Sequence, residues 1–263
     1  MDLGLQGKVA FVAGASKGLG KACALSFARE GARVVLVSRN QASIDAAAAE
    51  VAGETGAEVL ALAGDVSQAA ACDSLIQQTV NRFGRLDVLV NNAGGPPTGT
   101  AVGMTDEQWA AAFQTNLMSA VRLTRAAVPH MKAAGAGRIV NITSSGVRTV
   151  IPGLVLSNSI RAAVINFAKT LSTELAADNI TVNSVAPGRF GTDRVAELDA
   201  INARNWGVPI EEATKRQVAQ IPMGRYGEPD ELASVVVFLA SARASFVSGQ
   251  TILVDGAATR AIF

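Results

Sequence analysis

Seven short, almost continuously apolar runs recur along this chain, and a longer segment of helical periodicity follows nearly every one. That alternation limits the fold more than any other feature. The runs are KVAFVA (8–13), RVVLVS (33–38), EVLALA (58–63), LDVLVN (86–91), RIVNIT (138–143), ITVNSV (180–185) and TILVD (251–255). A strand with one wet face alternates apolar and polar residues, whereas a strand covered on both faces does not. Helical patterns fall near 18–30, 41–53, 67–83, 105–134, 158–178 and 228–242. Thr105 and Gln108 form a capping box that opens the fourth of them. The pattern predicts an α/β chain, a Rossmann-type doubly wound parallel sheet of about seven strands with right-handed crossovers. No linker, repeat or low-complexity tract interrupts residues 1–263, so a single domain is expected. One stretch departs from the pattern: 193–227 is polar and irregular, and sits between a strand and the last helix. An insertion there lies at the carboxyl edge of the sheet, where such folds bind ligands.

Lys and Arg number 23 against 22 Asp and Glu, a net charge of +1, which offers no general attraction to nucleic acid or an anionic membrane. No apolar run approaches the ~20 residues needed to span a bilayer. The opening MDLGLQGKVAFVAG lacks a basic segment followed by an apolar stretch and a cleavage site. Cys23 and Cys72 stand alone, without metal-ligand spacing. A cytoplasmic protein without a metal site is the expectation.

The first strand runs straight into AGASKGLG (13–20), where Gly14, Gly18 and Gly20 have the spacing G-x-x-x-G-x-G. Glycines there permit a tight turn, let the backbone approach a pyrophosphate, and aim a helix N-terminus at it. An isolated match would equally be an ordinary glycine-rich turn; its place after the first strand of a βαβ unit points to a dinucleotide. The second strand ends in Ser38-Arg39-Asn40, with no acid to hold a ribose 2′-hydroxyl. Arg39, helped by Lys17, suits a 2′-phosphate instead, and the pair points to NADP(H) rather than NAD(H). The plain alternative for Arg39 is a solvated surface arginine. Asp65-Val66 and Asn91-Asn92-Ala93-Gly94 close the third and fourth strands.

These residues, with Asn116 in QTNLMSA, Ser144 in NITSSG, APGRFGT (186–192), RYGEPDELA (225–233) and SGQTILVDG (248–256), give the chain a resemblance to the short-chain dehydrogenase/reductases over essentially its whole length. The resemblance implies that Gly14, Ser16, Lys17, Gly18, Leu19 and Gly20 face the pyrophosphate and adenosine ribose. It places Asp65 and Val66 at the adenine, Asn92, Ala93 and Gly94 by the ribose, and Pro187, Gly188, Phe190 and Thr192 over the nicotinamide. It also implies a homodimer or homotetramer with the last strand near an interface. The nearest branch by overall likeness is the 3-oxoacyl-thioester reductases.

Members of that family use Asn, Ser, Tyr and Lys, and Asn116 and Ser144 match the first two. Aligning APGR downstream and NITSSG upstream sets SNSIR (157–161) at the tyrosine and lysine, so Ser157 and Arg161 take those places. Serine is a weak acid without a base to activate it. An arginine, with a pKa of roughly 12.5–13.8, neither gives nor takes a proton near neutrality. The one tyrosine, Tyr226, lies past the insertion, and the one histidine, His130, falls at a helix end where it meets the dipole. Arg161 keeps the lysine's ability to donate to ribose hydroxyls. Two readings follow: an oxidoreductase on a carbonyl/alcohol pair with a changed site, or a catalytically silent NADP(H)-binding protein. The loop 94–103 and the segment 193–220 are expected to wall the substrate pocket, with Arg148 and Arg189 in surface or salt-bridging roles. Asp193, Glu197, Asp199, Glu211 and Glu212 make the insertion unlike a basic landing site for acyl carrier protein.

Overall fold

The apolar runs become strands β1 (Val9–Ala13), β2 (Arg33–Ser38), β3 (Val59–Ala63), β4 (Val88–Asn91), β5 (Gly137–Ile142), β6 (Ile180–Pro187) and β7 (Thr251–Val254) in a computed structural model that describes residues 1–261. They pair in parallel in the order β3-β2-β1-β4-β5-β6-β7. From β1 the chain winds outward to β3, then returns to lay β4 on the other side of β1. The reversal opens a crevice over the carboxyl ends of β1 and β4.

Alternate residues of the central strands enter two separate cores, which is why the runs read as unbroken apolar sequence. On one face Val12, Val34, Leu36 and Val90 pack under α1 (Gly18–Arg29), α2 (Gln41–Thr55) and α9 (Pro229–Ala240), meeting Phe27, Ile44 and Val236. On the other, Val9, Phe11, Val35 and Leu89 pack under α3 (Ala69–Phe83), α5 (Ser119–Ala133) and α6 (Val155–Glu174), meeting Leu75, Leu123 and Ala168. No described helix is long and apolar enough to cross a membrane.

Three expectations are corrected. The segment near 105–134 is not one helix. The Thr105 capping box opens α4 (Asp106–Ala112), a π-helical stretch over Phe113–Met118 follows, and α5 continues from it. The wider turn changes which residues face inward, a device common at functional sites, and it buries Asn116. The segment 193–227 is largely helical rather than irregular: α7 (Asp193–Trp206) and α8 (Ile210–Val218) are joined through Gly207 at φ +62. Their inward faces include Asp199 and Gln217, which breaks the apolar periodicity a sequence reading relies on. Finally, α6 begins at Val155, not 158, so Ser157 lies in its first turn, one helical turn before Arg161.

Candidate active site

A cleft of about 1190 Å³ runs along the carboxyl edge of the sheet. All the residues singled out in the sequence for cofactor and catalysis border it, although they come from segments scattered between Gly14 and Thr192. The glycine turn forms its floor at β1. Gly14 and Gly18 have φ of +61 and +57, the left-handed region that other residues avoid. A Cβ on Gly20 would run into the Gly14 carbonyl oxygen and stand 2.8 Å from Asn92 Nδ2. Asn92 donates to the carbonyls of Ala13 and Gly14, each at 3.2 Å, and so ties the β4 turn to the glycine turn. Helix α1 starts at Gly18 with no side-chain cap and no acid in its first turn, leaving amides directed at the cleft. A backbone cradle with uncapped amides suits a pyrophosphate, so the residues present fit a dinucleotide.

At the β2 end, Arg39 is exposed and has no acidic partner among the described residues. Asn40 is partly committed, since its side chain caps α2 by accepting from Ser43 N at 2.9 Å. The Asp65 carboxylate accepts from Ser67 N at 2.9 Å, fixing the turn that presents Val66. Lys17 differs from expectation. It reaches Asp193 at the start of α7, Nζ to Oδ2 2.9 Å, as an exposed ion pair, and does not stand as a second free cation beside Arg39.

In the chemical half, Ser157 and Arg161 are 7% and 8% exposed and share one face of α6. Arg161 Nη1 donates to Ile142 O at 2.9 Å and Nη2 to Ala93 O at 3.1 Å, so the guanidinium bridges the ends of β5 and β4. Burial, helped by the charge of Arg194, lowers its pKa to about 10, which leaves it cationic at neutral pH. Ser144 Oγ accepts from Gly146 N at 3.1 Å. Asn116 donates to Ala112 O, while its Oδ1 is buried without a partner in the chain. Behind Arg161 a cavity of about 10 Å³ touches Asn116, Asn91 and Asn141, close to room for one water.

Tyr226 does not serve the cleft. Its hydroxyl donates to Asp199 Oδ2 at 2.8 Å, and desolvation together with that bond raises its pKa. Asp199 is 2% exposed and also accepts from Arg189 Nη1 at 2.9 Å and Thr214 Oγ1 at 3.2 Å. Arg189 therefore salt-bridges as expected; Arg148 is exposed and lies off the cleft. Of the expected walls, residues 94–97, much of α7 and the end of α8 border the cleft, whereas 98–103 do not. Unforeseen were the segment from Thr149 to Leu154 and the side chains of Asn202, Trp206, Gln217 and Gln220. A signal for the first was its place between Ser144 and SNSIR. For the others there was none without the helix phase.

A family model described as enoyl-(acyl carrier protein) reductase matches residues 14–259. Among curated proteins, a 3-oxoacyl-[acyl-carrier-protein] reductase of Synechocystis sp. is 39% identical, covering 96% of this chain and 97% of its own length. The corresponding reductase of Thermotoga maritima is 36% identical over 96% of this chain and 98% of its own. Among solved structures, L-sorbose reductase from Gluconobacter frateurii, complexed with NADPH and L-sorbose, superposes with a TM-score of 0.95 at 35% identity, covering 100% of both chains. An actinorhodin polyketide ketoreductase with NADPH gives 0.93 at 34% identity, over 97% of this chain and 98% of that one.

Proposed function

The chain belongs to the short-chain dehydrogenase/reductase family, and on that premise we propose that it is an NADP(H)-dependent reductase of a small carbonyl compound whose proton does not come from a tyrosine. The carrying observation is the pair Ser157 and Arg161, buried on one face of α6 and bordering the cleft with Ser144 and Asn116. Bound along the glycine turn, NADPH supplies the hydride. Arg39 answers its 2′-phosphate, having no acid of its own to pair with. The structural relatives complexed with NADPH support the same cofactor.

Arg161 spends two N–H groups on Ala93 O and Ile142 O, and its remaining donors serve ribose hydroxyls at the cleft. Ser144 orients the carbonyl oxygen. The Ser157 hydroxyl falls short of where a tyrosine oxygen would lie by about 4 Å, a gap that one water bridges. The proton then reaches the substrate oxygen from water held by Ser157 and Ser144. Losing a positioned general acid costs roughly 10²–10⁴ in rate, so turnover is slow beside that of relatives with a tyrosine. The names of the curated relatives make 3-oxoacyl thioesters one class of small carbonyl to try.

Titration with both cofactors and NADPH oxidation over a carbonyl panel test this. NADPH should bind more tightly than NADH, with Arg39→Ala narrowing the gap. The double change Ser157→Tyr with Arg161→Lys should raise the rate, and Arg161→Lys alone should not. Equal affinities for the two cofactors would sink the NADP(H) assignment. Rates typical of the family that vanish in Ser157→Ala would make Ser157 itself the acid. Tight NADPH binding with no turnover on any carbonyl would leave a silent binding protein.

A further inference from the structure

The inner face of α7 carries Val195, Leu198, Asn202 and Asn205 along the cleft, a 3-4-3 spacing that keeps them on one side of the helix. At a rise of about 1.5 Å per residue, some 15 Å separate the first from the last. The face therefore turns from apolar near Thr192 to carboxamide farther along, and ends beside Trp206. Gln217, in the last turn of α8, and Gln220, just beyond that helix, add two more carboxamides to the same wall.

Asp199 collects three of the side-chain hydrogen bonds of α7 and α8, and none of those among the described residues involves these four amides. For an exposed amide that has little meaning, because water satisfies it. Gln217 is different: it is 8% exposed and borders the cleft. With the rest of the side chain packed away, the two donors and one acceptor of its amide look to the cleft for partners. The charged groups of this wall, by contrast, are already taken. Arg189 is held by Asp199, Lys17 by Asp193, and Arg194 by Glu197 at 3.4 Å, with a second bond to Pro96 O at 2.8 Å. The wall thus offers neutral, paired donors and acceptors and no free charge.

We infer that the substrate is a neutral, hydroxyl-rich ketone of open-chain-sugar size, and that Gln217 selects it by pairing with its hydroxyls. The inference rests on the reading of this cleft as a carbonyl-reducing site. Each hydroxyl both donates and accepts, as a carboxamide does, so neighbouring hydroxyls match a row of amides. An alkyl chain would leave those amides unpaired, and an anionic group would find no free cation on the wall.

Calorimetric binding decides the matter on the protein alone and with saturating NADPH. The probes are fructose and sorbose, their reduced polyol sorbitol, acetoacetyl-CoA, and an anionic keto acid. The ketoses or the polyol should bind best. Gln217→Met, which keeps the volume but not the amide, should weaken them about tenfold, the loss expected for one unpaired polar contact. NADPH affinity should stay within about twofold, since Gln217 lies outside the cofactor half. Should Gln217→Met fail to fold, Asn202→Ala carries the same comparison. Tighter binding of acetoacetyl-CoA or the keto acid, or ketose binding indifferent to both variants, overturns the inference. A protein that does not bind NADPH removes the reductase reading, while ketose binding to the protein alone still decides the substrate class.

Discussion

Asp199→Asn probes the clasp that holds α7 and α8, the lid over one side of the cleft, to Arg189 and Tyr226. Asp199 Oδ1 accepts from Arg189, which follows β6, and Oδ2 accepts from Thr214 on α8 and Tyr226 beyond it. Asparagine is nearly isosteric but has one acceptor oxygen. If that oxygen keeps the two hydroxyls, the amide nitrogen confronts the Arg189 guanidinium, so the charge-assisted bond is the one lost. Such a bond contributes about 1.5–3 kcal/mol, and a partly buried arginine left without its carboxylate brings the cost to roughly 2–3 kcal/mol. Two of the three bonds join α7 to its surroundings, the third joins α7 to α8, and none reaches β1, β4 or β5, so the loss should appear as local opening. By 1.4 kcal/mol per decade, amide protection in α7 and α8 should fall about 30- to 150-fold, with the sheet strands unchanged. Hydrogen exchange read by mass spectrometry resolves these segments. KM for the carbonyl substrate should rise while NADPH affinity holds. Equal loss of protection in lid and sheet would show the clasp to be part of the global fold, and unchanged lid protection would show that it holds nothing.

Two further outcomes follow from local geometry. Gly20→Ala presses a Cβ against the Gly14 carbonyl and Asn92; at about 1–3 kcal/mol for overpacking, NADPH affinity should drop by roughly 5- to 140-fold, and fluorescence titration showing parental affinity would contradict the cradle. Arg225 and the Glu228 amide pull the Glu231 carboxyl from 4.5 to about 2. A depressed acid pKa stabilises the fold fully above the unfolded value and fades as pH falls toward the folded one. Between pH 5 and 2 the melting temperature should therefore fall more steeply in the parent than in Glu231→Gln, and parallel curves would refute the assignment.

What the chain reveals unaided is whatever its local physics encodes. Burial on both faces makes β1, β2, β4, β5 and β6 read as apolar runs, and the alternation with helices dictates a parallel sheet. The glycines at 14, 18 and 20 are legible because their need is one of backbone conformation and close approach, written at the residues themselves. That Ser157 and Arg161 share one face of α6 was equally plain, the two being one helical turn apart in sequence. The helical nature of 193–227 was hidden because its inward face carries Asp199 and Gln217, whose burial is compensated by partners distant in the chain or by the cleft. Lys17 looked like a free cation beside Arg39 until folding set Asp193 beside it. Asn116 owes its burial to a π turn, and Tyr226 its constraint to a carboxylate 27 residues away. Each of these depends on which side of an element faces which neighbour, and a side chain's partner across space is set by packing the whole sheet, not by the residues next to it in sequence.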